Sequence, residues 1–329
     1  MAQHGTRARP RRTEAAPPPF VEPELATLVD APPEGAAWIH ETKYDGYRCL
    51  LAIGGGDVIC YTRRGHDWTD RFASLVEPAR KLPVESALID GEVMVLDEAG
   101  RSNFALMQNA LKTGAPLVYV AFDLLWLDGE DLRDLPLIER KRRLRAVLGR
   151  RRNGPLRFSE HLEGRSADIL ERLCAAGYEG IVSKRKNAPY RSGRGQHWLK
   201  IKCTKRQEFV VGGWSPSRHG RSFGSLLIGY FERGRLVYAG RVGTGFDEAR
   251  LASLGAELAR LASAECPFEA VPRSVARSAH WVEPKLVAEI DFAELTRDGL
   301  VRQGVFVGLR SDKPARSVRF ERPRRVAGR

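Results

Sequence analysis

The chain has 329 residues with 54 Lys and Arg against 41 Asp and Glu, a formal net charge of +13, and 43% of its residues are hydrophobic. This length predicts about two domains, each able to bury a core, and excludes a small single-domain peptide binder. No window approaches the roughly 18 uninterrupted apolar residues of a membrane span, and the N-terminal arginines precede no signal-peptide core. We therefore expect a cytoplasmic protein without membrane segments.

Residues 1–19 are rich in Pro, Arg and Ala without apolar periodicity, which predicts a disordered basic tail. The following part, over residues 20–205, is predicted to be an α+β domain of antiparallel sheets with helices. Its predicted strands, two of them joined by the hairpin turn at 54–57, cover residues 38–44, 47–53, 58–62, 87–96, 117–127, 180–184 and 198–203. Its predicted helices, the last with an N-cap at Ser166, cover residues 104–112, 136–148 and 166–176.

Residues 206–322 have a different rhythm. Five strands are predicted there, at residues 208–214, 225–231, 236–243, 286–295 and 300–309. A helix from an Asp247 N-cap through Leu261 separates the third strand from the fourth. This order is typical of an all-β OB-fold barrel, a frequent nucleic-acid platform. Residues 323–329 are predicted to be a basic C-terminal tail.

The five cysteines are odd in number, widely spaced and form no C-x-x-C pair: Cys49, Cys60, Cys174, Cys203 and Cys266. This pattern argues against both a disulfide framework and a zinc site. It predicts buried thiols in a reducing compartment.

Positive charge is concentrated in a few segments. Residues 183–206 hold nine cations and no acid, and residues 310–329 hold eight cations against two acids. Single-sign segments suit a polyanion whose counterions are released on binding. A solvated face or tail is the alternative, and it stays fully open for residues 139–157, where Arg alternates with Leu at helical spacing.

The sharpest local signal is the octapeptide at 41–48, Glu-Thr-Lys-Tyr-Asp-Gly-Tyr-Arg, in which K-x-D-G-x-R lies between two predicted strands. Alone it is only suggestive. Further short motifs follow in order: Thr-Arg-Arg-Gly at 62–65, Asp-Gly-Glu at 90–92, Phe-Asp at 122–123, Glu-Gly-Ile-Val-Ser-Lys at 179–184, Trp-Leu-Lys-Ile-Lys at 198–202 and Arg-Ser-Asp-Lys-Pro at 310–314.

With this set, residues 20–321 resemble the covalent nucleotidyltransferases, and among them the ATP-dependent DNA ligases. The resemblance is strongest to the ligase module of the bacterial non-homologous end-joining ligases of the ligase D type. It implies that Lys43 takes AMP from ATP as a phosphoramidate and passes it to the 5′-phosphate of a nick. The 3′-hydroxyl then displaces AMP. Only Thr62 and Arg64 depart from the residues common in the family.

The residues support this chemistry independently. Attack on a phosphate needs a neutral amine, whereas a free lysine has a pKa of about 10.4 and is almost fully protonated at pH 7. The cations Arg48, Lys200 and Lys202, together with a bound divalent metal, would favour the neutral form of Lys43.

Strand alternation places Asp90 and Glu92 on one face, which we expect to be wet. Carboxylates there can hold Mg²⁺ beside substrate phosphates. The resemblance implies that Glu92 and Glu179 are the metal-linked carboxylates, with Mn²⁺ as an alternative ion and Glu92 also at the ribose. Solvated sheet carboxylates are the alternative interpretation.

Alternation also places Lys200 and Lys202 on one face, where two ammoniums can straddle one phosphate. The resemblance assigns them to the α-phosphate. It implies further nucleotide contacts for Glu41 at the adenine amine, Phe122 stacking on the adenine, Arg48 and Arg63 at ribose or phosphate, Lys184 at phosphate, and Arg310, Asp312 and Lys313 at the departing pyrophosphate. A core aromatic for Phe122 and a solvated tail for the last motif are the alternatives.

Because Lys43 lies near the N-terminus, we expect no upstream helical DNA-binding domain. Contacts with nicked double-stranded DNA are expected from basic loops that carry Arg191, Arg194, Arg218 and Arg221, or from the C-terminus. The resemblance implies a monomer in the nucleoid, a Ku-type end-binding partner, and polymerase and nuclease modules on separate polypeptides.

The motif set leaves rival functions open. An RNA ligase or a capping guanylyltransferase would share the superfamily chemistry. A non-catalytic, basic OB-fold nucleic-acid binder would have lost a motif residue, and none is lost. The sequence does not distinguish end joining from excision repair.

Overall fold

The computed structural model describes residues 16–98, 100–102, 104–149, 153–217, 220–296 and 298–323. The predicted tail at 1–19 lies outside them except for residues 16–19, and the predicted tail at 323–329 except for residue 323. The chain divides into two compact units. The first runs to residue 27 and includes 33–169 and 182–199, and the second includes 28–32, 170–181 and the chain from 200 onward. The predicted boundary at 205/206 stays a prediction.

Up to residue 202 the chain alternates short strands with four helices in the described segments. The strands are β1 (Glu24–Leu28), β2 (Trp38–Thr42), β3 (Tyr47–Gly54), β4 (Asp57–Thr62), β5 (Ser86–Met94), β6 (Val118–Leu127), β7 (Glu130–Asp131), β8 (Leu156–Phe158), β9 (His161–Leu162), β10 (Gly180–Arg185) and β11 (Gly193–Lys202). The helices are α1 (Ala73–Arg80), α2 (Phe104–Thr113), α3 (Leu137–Leu148) and α4 (Ser166–Ala175).

Two sheets organise this part of the chain. A six-stranded sheet has the order β4-β3-β5-β6-β7, with β8 added parallel to β6, and a five-stranded sheet has the order β1-β11-β10-β2-β9. The first sheet is otherwise antiparallel, as predicted. Its core is built by alternate residues of β3, β5 and β6, such as Leu51, Ile89 and Leu124, each 0% exposed. Alternation therefore positions the functional strands.

Several predicted elements are confirmed. The β3–β4 hairpin pairs Gly54 with Asp57 across the expected turn. The three predicted helices lie within a residue or two of α2, α3 and α4. The N-cap expected at Ser166 was wrong: Ser166 is the first helical residue, and its hydroxyl donates to Glu34 at 2.7 Å. The Glu34 carboxylate also accepts from the first backbone N–H groups of α4, so Glu34 supplies the cap.

Strand β1 was not predicted, and its presence corrects a second expectation. The segment around Arg194 was expected to be a basic loop, whereas β11 already begins at Gly193. Because β1 lies beside β11, the Gly193 N–H donates to Pro23 and the Thr27 hydroxyl donates to Gly195. Pairing with β1 therefore extends the strand toward its N-terminus.

The rest of the chain is mainly strand. Its strands are β12 (Lys205–Ser215), β13 (Ser225–Glu232), β14 (Arg235–Val242), β15 (Ala262–Ser263), β16 (His280–Val282), β17 (Val287–Phe292), β18 (Glu294–Leu295), β19 (Val301–Arg302) and β20 (Val305–Arg310). Helices α5 (Glu248–Arg260) and α6 (Arg273–Ala276) accompany them. The five predicted strands correspond to β12, β13, β14, β17 and β20, although the last one is broken at Gln303, whose φ is 52°.

The predicted helix between the third and fourth strands is α5, and its Asp247 N-cap accepts from the Arg250 N–H at 2.7 Å as expected. Strand β17 pairs with both β12 and β20. In the described residues no continuous ladder closes the barrel. On that side an isolated parallel bridge joins Thr244, after β14, to Val305 of β20. The predicted OB-fold strand order is confirmed, and full closure is not.

The prediction of free cysteine thiols was wrong for two residues. Cys174, in α4, and Cys203, directly after β11, form a disulfide with their Cα atoms 5.4 Å apart, a separation that a disulfide spans readily. Cys49 and Cys60 are buried thiols, as expected, whereas Cys266 is exposed. Wide sequence spacing concealed a close spatial pair.

None of the described helices is long and apolar enough to cross a membrane.

Candidate active site

Lys43 lies in the connection between β2 and β3 and is half-buried. The neighbouring glycine is required by close packing, because a Cβ atom on Gly46 would lie 2.2 Å from the carbonyl oxygen of Val93 in β5. Asp45 is buried, and its N–H donates to the Ser102 hydroxyl at 3.1 Å. The predicted position of the lysine between two strands is confirmed, but the connection is irregular, with a bend at Gly46 instead of a hydrogen-bonded turn.

Glu41, two residues before this lysine, is buried at the end of β2 and accepts from three donors. The Lys141 ammonium donates to Oε1 at 2.7 Å, while the Lys184 ammonium at 3.0 Å and the Ser159 hydroxyl at 2.9 Å donate to Oε2. Burial alone would raise the pKa of Glu41, but Lys141 and Lys184 outweigh it and lower the pKa below its usual value. Glu41 is therefore held as a carboxylate.

Lys184, on β10, lies at this carboxylate with its side chain 2% exposed. Its ammonium is 4.3 Å from the ring centre of Phe122 and 4.0 Å from that of Trp198. Burial lowers the pKa of Lys184 to about 8, although Glu41 opposes the shift. The structure thus places this residue, which was expected at a phosphate, against Glu41 and two aromatic rings.

Arg48 and Asp90 form a bidentate ion pair between β3 and β5, with contacts of 2.5 and 2.6 Å. The Tyr190 hydroxyl donates to the same Asp90 carboxylate at 2.7 Å. Burial opposes the charge of Arg48, but Asp90 outweighs it and raises the pKa of the guanidinium. The expectation of a wet face was wrong for Asp90, which is 0% exposed because Arg48 and Tyr190 cover it. Glu92, on the same strand, is half-buried.

Phe122, on β6, is 8% exposed and belongs to a buried cluster with Trp198 and Tyr190. The Arg48 guanidinium lies 4.5 Å from the ring centre of Phe122, and Trp198 meets the ring edge-on at 5.8 Å. The structure therefore brings Phe122, Arg48, Lys184 and Glu41 together in one unit. Arg63, also expected at the nucleotide, lies exposed in the turn after β4.

Helix α3 contributes two buried cations that the sequence analysis missed. Arg140 is 0% exposed and makes a bidentate pair with Asp123, at 2.7 and 2.8 Å, and Lys141 pairs with Glu41. Residues 137, 140, 141, 144, 147 and 148 of α3 are its buried ones. This is the spacing of the apolar stripe of a helix, so position in the stripe was the signal that could have identified both cations. Neither lies on a solvated face.

Glu179 and Lys202 lie together in the second unit. The Lys202 ammonium is 3.4 Å from the Glu179 carboxylate and donates to the Arg206 carbonyl at 2.5 Å. Lys200 donates to the Glu321 carboxylate at 2.6 Å. The predicted alternation of β11 is confirmed, since Leu199 and Ile201 are buried while both lysines are partly exposed.

The described residues contain no group of three or more His, Cys, Asp or Glu side chains able to hold a metal ion. Mg²⁺ in nucleotide enzymes usually binds one or two carboxylates together with substrate phosphates. The half-buried Glu92 fits that mode as a single oxygen donor, and the Glu179 carboxylate fits it as well, with Lys202 as its present neighbour.

The last motif is folded into the second unit. Arg310 ends β20 and makes a bidentate pair with Asp312, both contacts being 2.9 Å. Lys313 donates to Glu208 of β12. Burial opposes the charge of Asp312, but Arg310 outweighs it and lowers the pKa of this carboxyl. A solvated tail is therefore excluded for these three residues.

The arginines expected at DNA differ in their surroundings. Arg191 forms an exposed ion pair with Asp134 at 2.7 Å, and Arg194 donates to the Ala26 carbonyl at 2.6 Å. Arg221 is exposed in the connection between β12 and β13. Arg218 lies outside the described residues.

Comparison with known proteins agrees with this geometry. Residues 23–202 match the ATP dependent DNA ligase domain, and residues 219–313 match the ATP dependent DNA ligase C terminal region. The fold is that of a nucleotidyltransferase domain followed by an OB-fold domain. The chain belongs to the family of ATP-dependent DNA ligases.

Several relatives are similar to the chain over most of its length. The multifunctional non-homologous end joining protein LigD of Pseudomonas aeruginosa is 45% identical over 93% of this chain and 37% of its own length. LigD of Mycolicibacterium smegmatis is 35% identical over 86% of this chain and 37% of its own. The solved mycobacterial DNA ligase D complexed with ATP and MES is 35% identical, with a TM-score of 0.64, and the match covers 89% of this chain and 97% of that one. The chain thus spans little more than a third of the length of the Pseudomonas and Mycolicibacterium LigD proteins.

Proposed function

We propose that this chain is an ATP-dependent DNA ligase that seals nicks through AMP bound covalently to Lys43. The observation that carries the proposal is the placement of Lys43 in the β2–β3 connection, with Glu41 buried just before it and the Arg48–Asp90 pair just after. A lysine held in a short connection between two strands, beside ordered charges, is suited to nucleophilic attack.

Three displacements at phosphorus make up the proposed reaction. The neutral Lys43 amine forms a P–N bond to the α-phosphorus of ATP as the bond to pyrophosphate breaks, and the amine loses a proton. An oxygen of the 5′-phosphate at a nick then displaces the lysine, which recovers a proton. Finally the 3′-hydroxyl attacks, a phosphodiester forms and AMP leaves.

Proposed roles follow from position. The purine lies at Phe122 and Glu41, with Lys184 supporting Glu41. The ribose and phosphate oxygens are bound by Arg48 and Arg63. The α-phosphate is bound by Lys200 and Lys202. The residues proposed at the departing pyrophosphate are Arg310, Asp312 and Lys313. Arg310 and Lys313 now pair with the carboxylates of Asp312 and Glu208, and phosphate oxygens can replace such partners.

A divalent ion, Mg²⁺ or alternatively Mn²⁺, would be held by Glu92 and Glu179. When bound, it would neutralise charge on the phosphates. The chain itself supplies the nucleophile and the base pocket. The arginines and lysines proposed at the phosphates orient them.

The proposed substrate is nicked double-stranded DNA, bound by phosphate contacts that include Arg194 and Arg221. Relatives named for non-homologous end joining support a role in that repair route. We propose that the protein acts as a monomer at the nucleoid in the cytoplasm. A Ku-type end-binding protein and separate polymerase or nuclease modules are its proposed partners.

The test is incubation of the protein with α-labelled ATP and Mg²⁺ followed by a denaturing gel. The expected result is a covalent adduct of AMP mass that maps to Lys43 by peptide mass spectrometry and is lost in Lys43→Ala. The same variant should not seal a nicked duplex.

Lys81→Ala is the matched control, since this exposed lysine lies outside the site and should form the adduct as the parent does. An adduct on Lys184 or Lys200 would contradict the assignment of the nucleophile.

A further inference from the structure

We propose that Lys141 is a positioning residue that makes the site select a 6-amino purine over a 6-oxo purine. It does so by holding Glu41 as an ionised acceptor. This inference rests on the proposed function, because it assumes that the nucleotide base reaches Glu41.

The geometry is specific to one carboxylate oxygen. Lys141, with a side chain 1% exposed, donates to Glu41 Oε1 at 2.7 Å and to the Ser159 carbonyl at 2.9 Å. Its ammonium also lies 4.5 Å from the ring centre of Phe158. The lysine is therefore tied to helix α3 at one end and to the segment that joins β8 to β9 at the other.

Hydrogen-bond capacity then defines what Glu41 can still accept. Each carboxylate oxygen has two lone-pair positions. Oε2 accepts from both Lys184 and Ser159, whereas Oε1 accepts from Lys141. Oε1 can therefore take one further donor, on the side that Lys141 leaves.

Charge decides the chemical nature of that donor. Among the described residues, Glu41 interacts electrostatically with Lys141 from α3, Lys184 from β10 and His161 from β9. The carboxylate already has two ammonium partners, so a third cation would be repelled. A neutral N–H, such as the exocyclic amine of adenine, fits the remaining position.

A 6-oxo purine would present an acceptor to this acceptor. An ionised carboxylate has no proton to donate, and an acceptor facing it leaves both groups unpaired at a buried position. Burying these ions is also costly, and apolar replacements are often as stable. Selection of the base therefore gives the buried lysine a role that packing alone does not require.

The test compares ATP with inosine triphosphate, which differs at the 6-position of the purine. The kcat/KM for formation of the covalent nucleotidyl adduct is measured for the parent, Lys141→Met, Lys141→Arg and Ser159→Ala. In Lys141→Met the preference for ATP should fall by at least about tenfold, mostly through a higher KM for ATP. Lys141→Arg should restore most of the preference, since it keeps a cationic donor.

Arg142→Met is the matched control on the same helix, because the Arg142 side chain is 70% exposed and pairs with Glu139 at the surface. It should keep the parental ratio. Ser159→Ala, which removes a donor without removing a charge, should shift the ratio in the same direction by a smaller factor and covers the case in which Lys141→Met does not fold.

Equal loss of ATP and inosine triphosphate use in Lys141→Met or Ser159→Ala, with the ratio unchanged, would overturn the inference and leave these residues a structural role. Failure of the proposed function looks different. In that case the parent protein itself would form no adduct with either nucleotide.

Discussion

Arg140 and Asp123 are both 0% exposed, and their two contacts measure 2.7 and 2.8 Å. Arg140 also donates to the Leu135 and Ala188 carbonyls at 2.5 and 3.1 Å. The desolvation of two ions is repaid only when such additional hydrogen bonds complete the pair. The pair therefore fixes the position of β6, which carries Phe122, relative to α3, which carries Lys141.

Removing one partner should be far worse than removing both. Arg140→Met alone should lower the free energy of unfolding by about 3–5 kcal/mol, because Asp123 would stay buried without its cation. The double variant with Asp123→Leu should recover part of that loss. Urea unfolding of the parent, both single variants and the double variant measures the coupling, and additive losses would argue that the pair does not act as a unit.

Glu24 carries a different kind of buried charge. It is 1% exposed, and its Oε1 has no hydrogen-bond partner among the residues that the structure describes, while Oε2 accepts from the Arg191 N–H at 3.0 Å. His197 approaches Oε1 only to 3.9 Å. Burial raises the pKa of Glu24 to about 7, partly opposed by the Arg191 N–H.

This shift predicts a pH dependence of stability. An acid whose pKa is higher in the folded state than the unfolded value near 4.5 binds its proton more tightly when folded. The contribution of Glu24 to the free energy of unfolding is therefore fully present below about pH 4.5. It falls as the pH rises from about 4.5 to about 7, by on the order of 3 kcal/mol. Glu24→Gln, which does not ionise, should lose this component. Urea unfolding at pH 5 and pH 7.5 should show the variant gaining on the parent at the higher pH, and a constant difference would contradict the prediction.

At the scale of elements, the disulfide joins the end of α4 to the residue after β11. The two cysteines are 29 residues apart in sequence, and Glu179 and Lys202 both lie between them. The Cys203 N–H also donates to the Glu179 carbonyl at 2.9 Å. The cross-link therefore constrains the segment that carries two of the proposed site residues.

Reduction should weaken this part of the fold. Closing a loop of this length stabilises a protein by about 3–4 kcal/mol in the chain-entropy model. Thermal unfolding of the parent should shift downward in a phosphine reductant, whereas Cys174→Ser/Cys203→Ser should unfold at one temperature with or without it. An unchanged parental midpoint would show that the bond adds no stability.

Periodicity predicted those elements whose burial follows one simple pattern. Strands β3, β5 and β6 alternate or are continuously apolar, and Gly54–Asp57 is a distinct turn signal. The same reasoning missed β1, because the register of Glu24–Leu28 is set by pairing with β11, which is distant in sequence. Periodicity also predicted one strand where the structure has β19 and β20. The break lies at Gln303, which has a positive φ although its residue type does not indicate a turn.

In the candidate site, too, residues close together in sequence were predicted and residues paired over long sequence distances were not. Motifs near in sequence, such as Glu41, Lys43 and Arg48, were found because their spacing is local. Lys141 was missed because its partner is 100 residues away and its charge suggested solvent. The disulfide was missed for the same physical reason, since tertiary proximity leaves no trace in the spacing of cysteines.

At the scale of the whole molecule, the net charge of +13 dominates the expected encounter with DNA. Not all of the 54 lysines and arginines are available to DNA, because some are already paired with carboxylates. Arg140 and Lys141 are buried with carboxylates, and Arg191 pairs with Asp134 on the surface. Only cations that can leave such partners are able to replace counterions along a phosphate backbone.

This distinction predicts how binding to a nick responds to salt. Log affinity should fall linearly with log salt, with a slope of about −0.9 for each phosphate neutralised. Arg191→Ala with Arg194→Ala should weaken binding to every nick sequence and flatten the slope by roughly one to two units, while adduct formation with ATP stays close to parental. Asp134→Asn should steepen the slope, because it releases Arg191 from its exposed ion pair at 2.7 Å. Fluorescence anisotropy with a labelled nicked duplex at several salt concentrations measures all three proteins, the parent and the two variants. If both variants kept the salt slope of the parent, Arg191 and Arg194 would not contact DNA. The DNA contacts would then be assigned to Arg221 and the basic C-terminus.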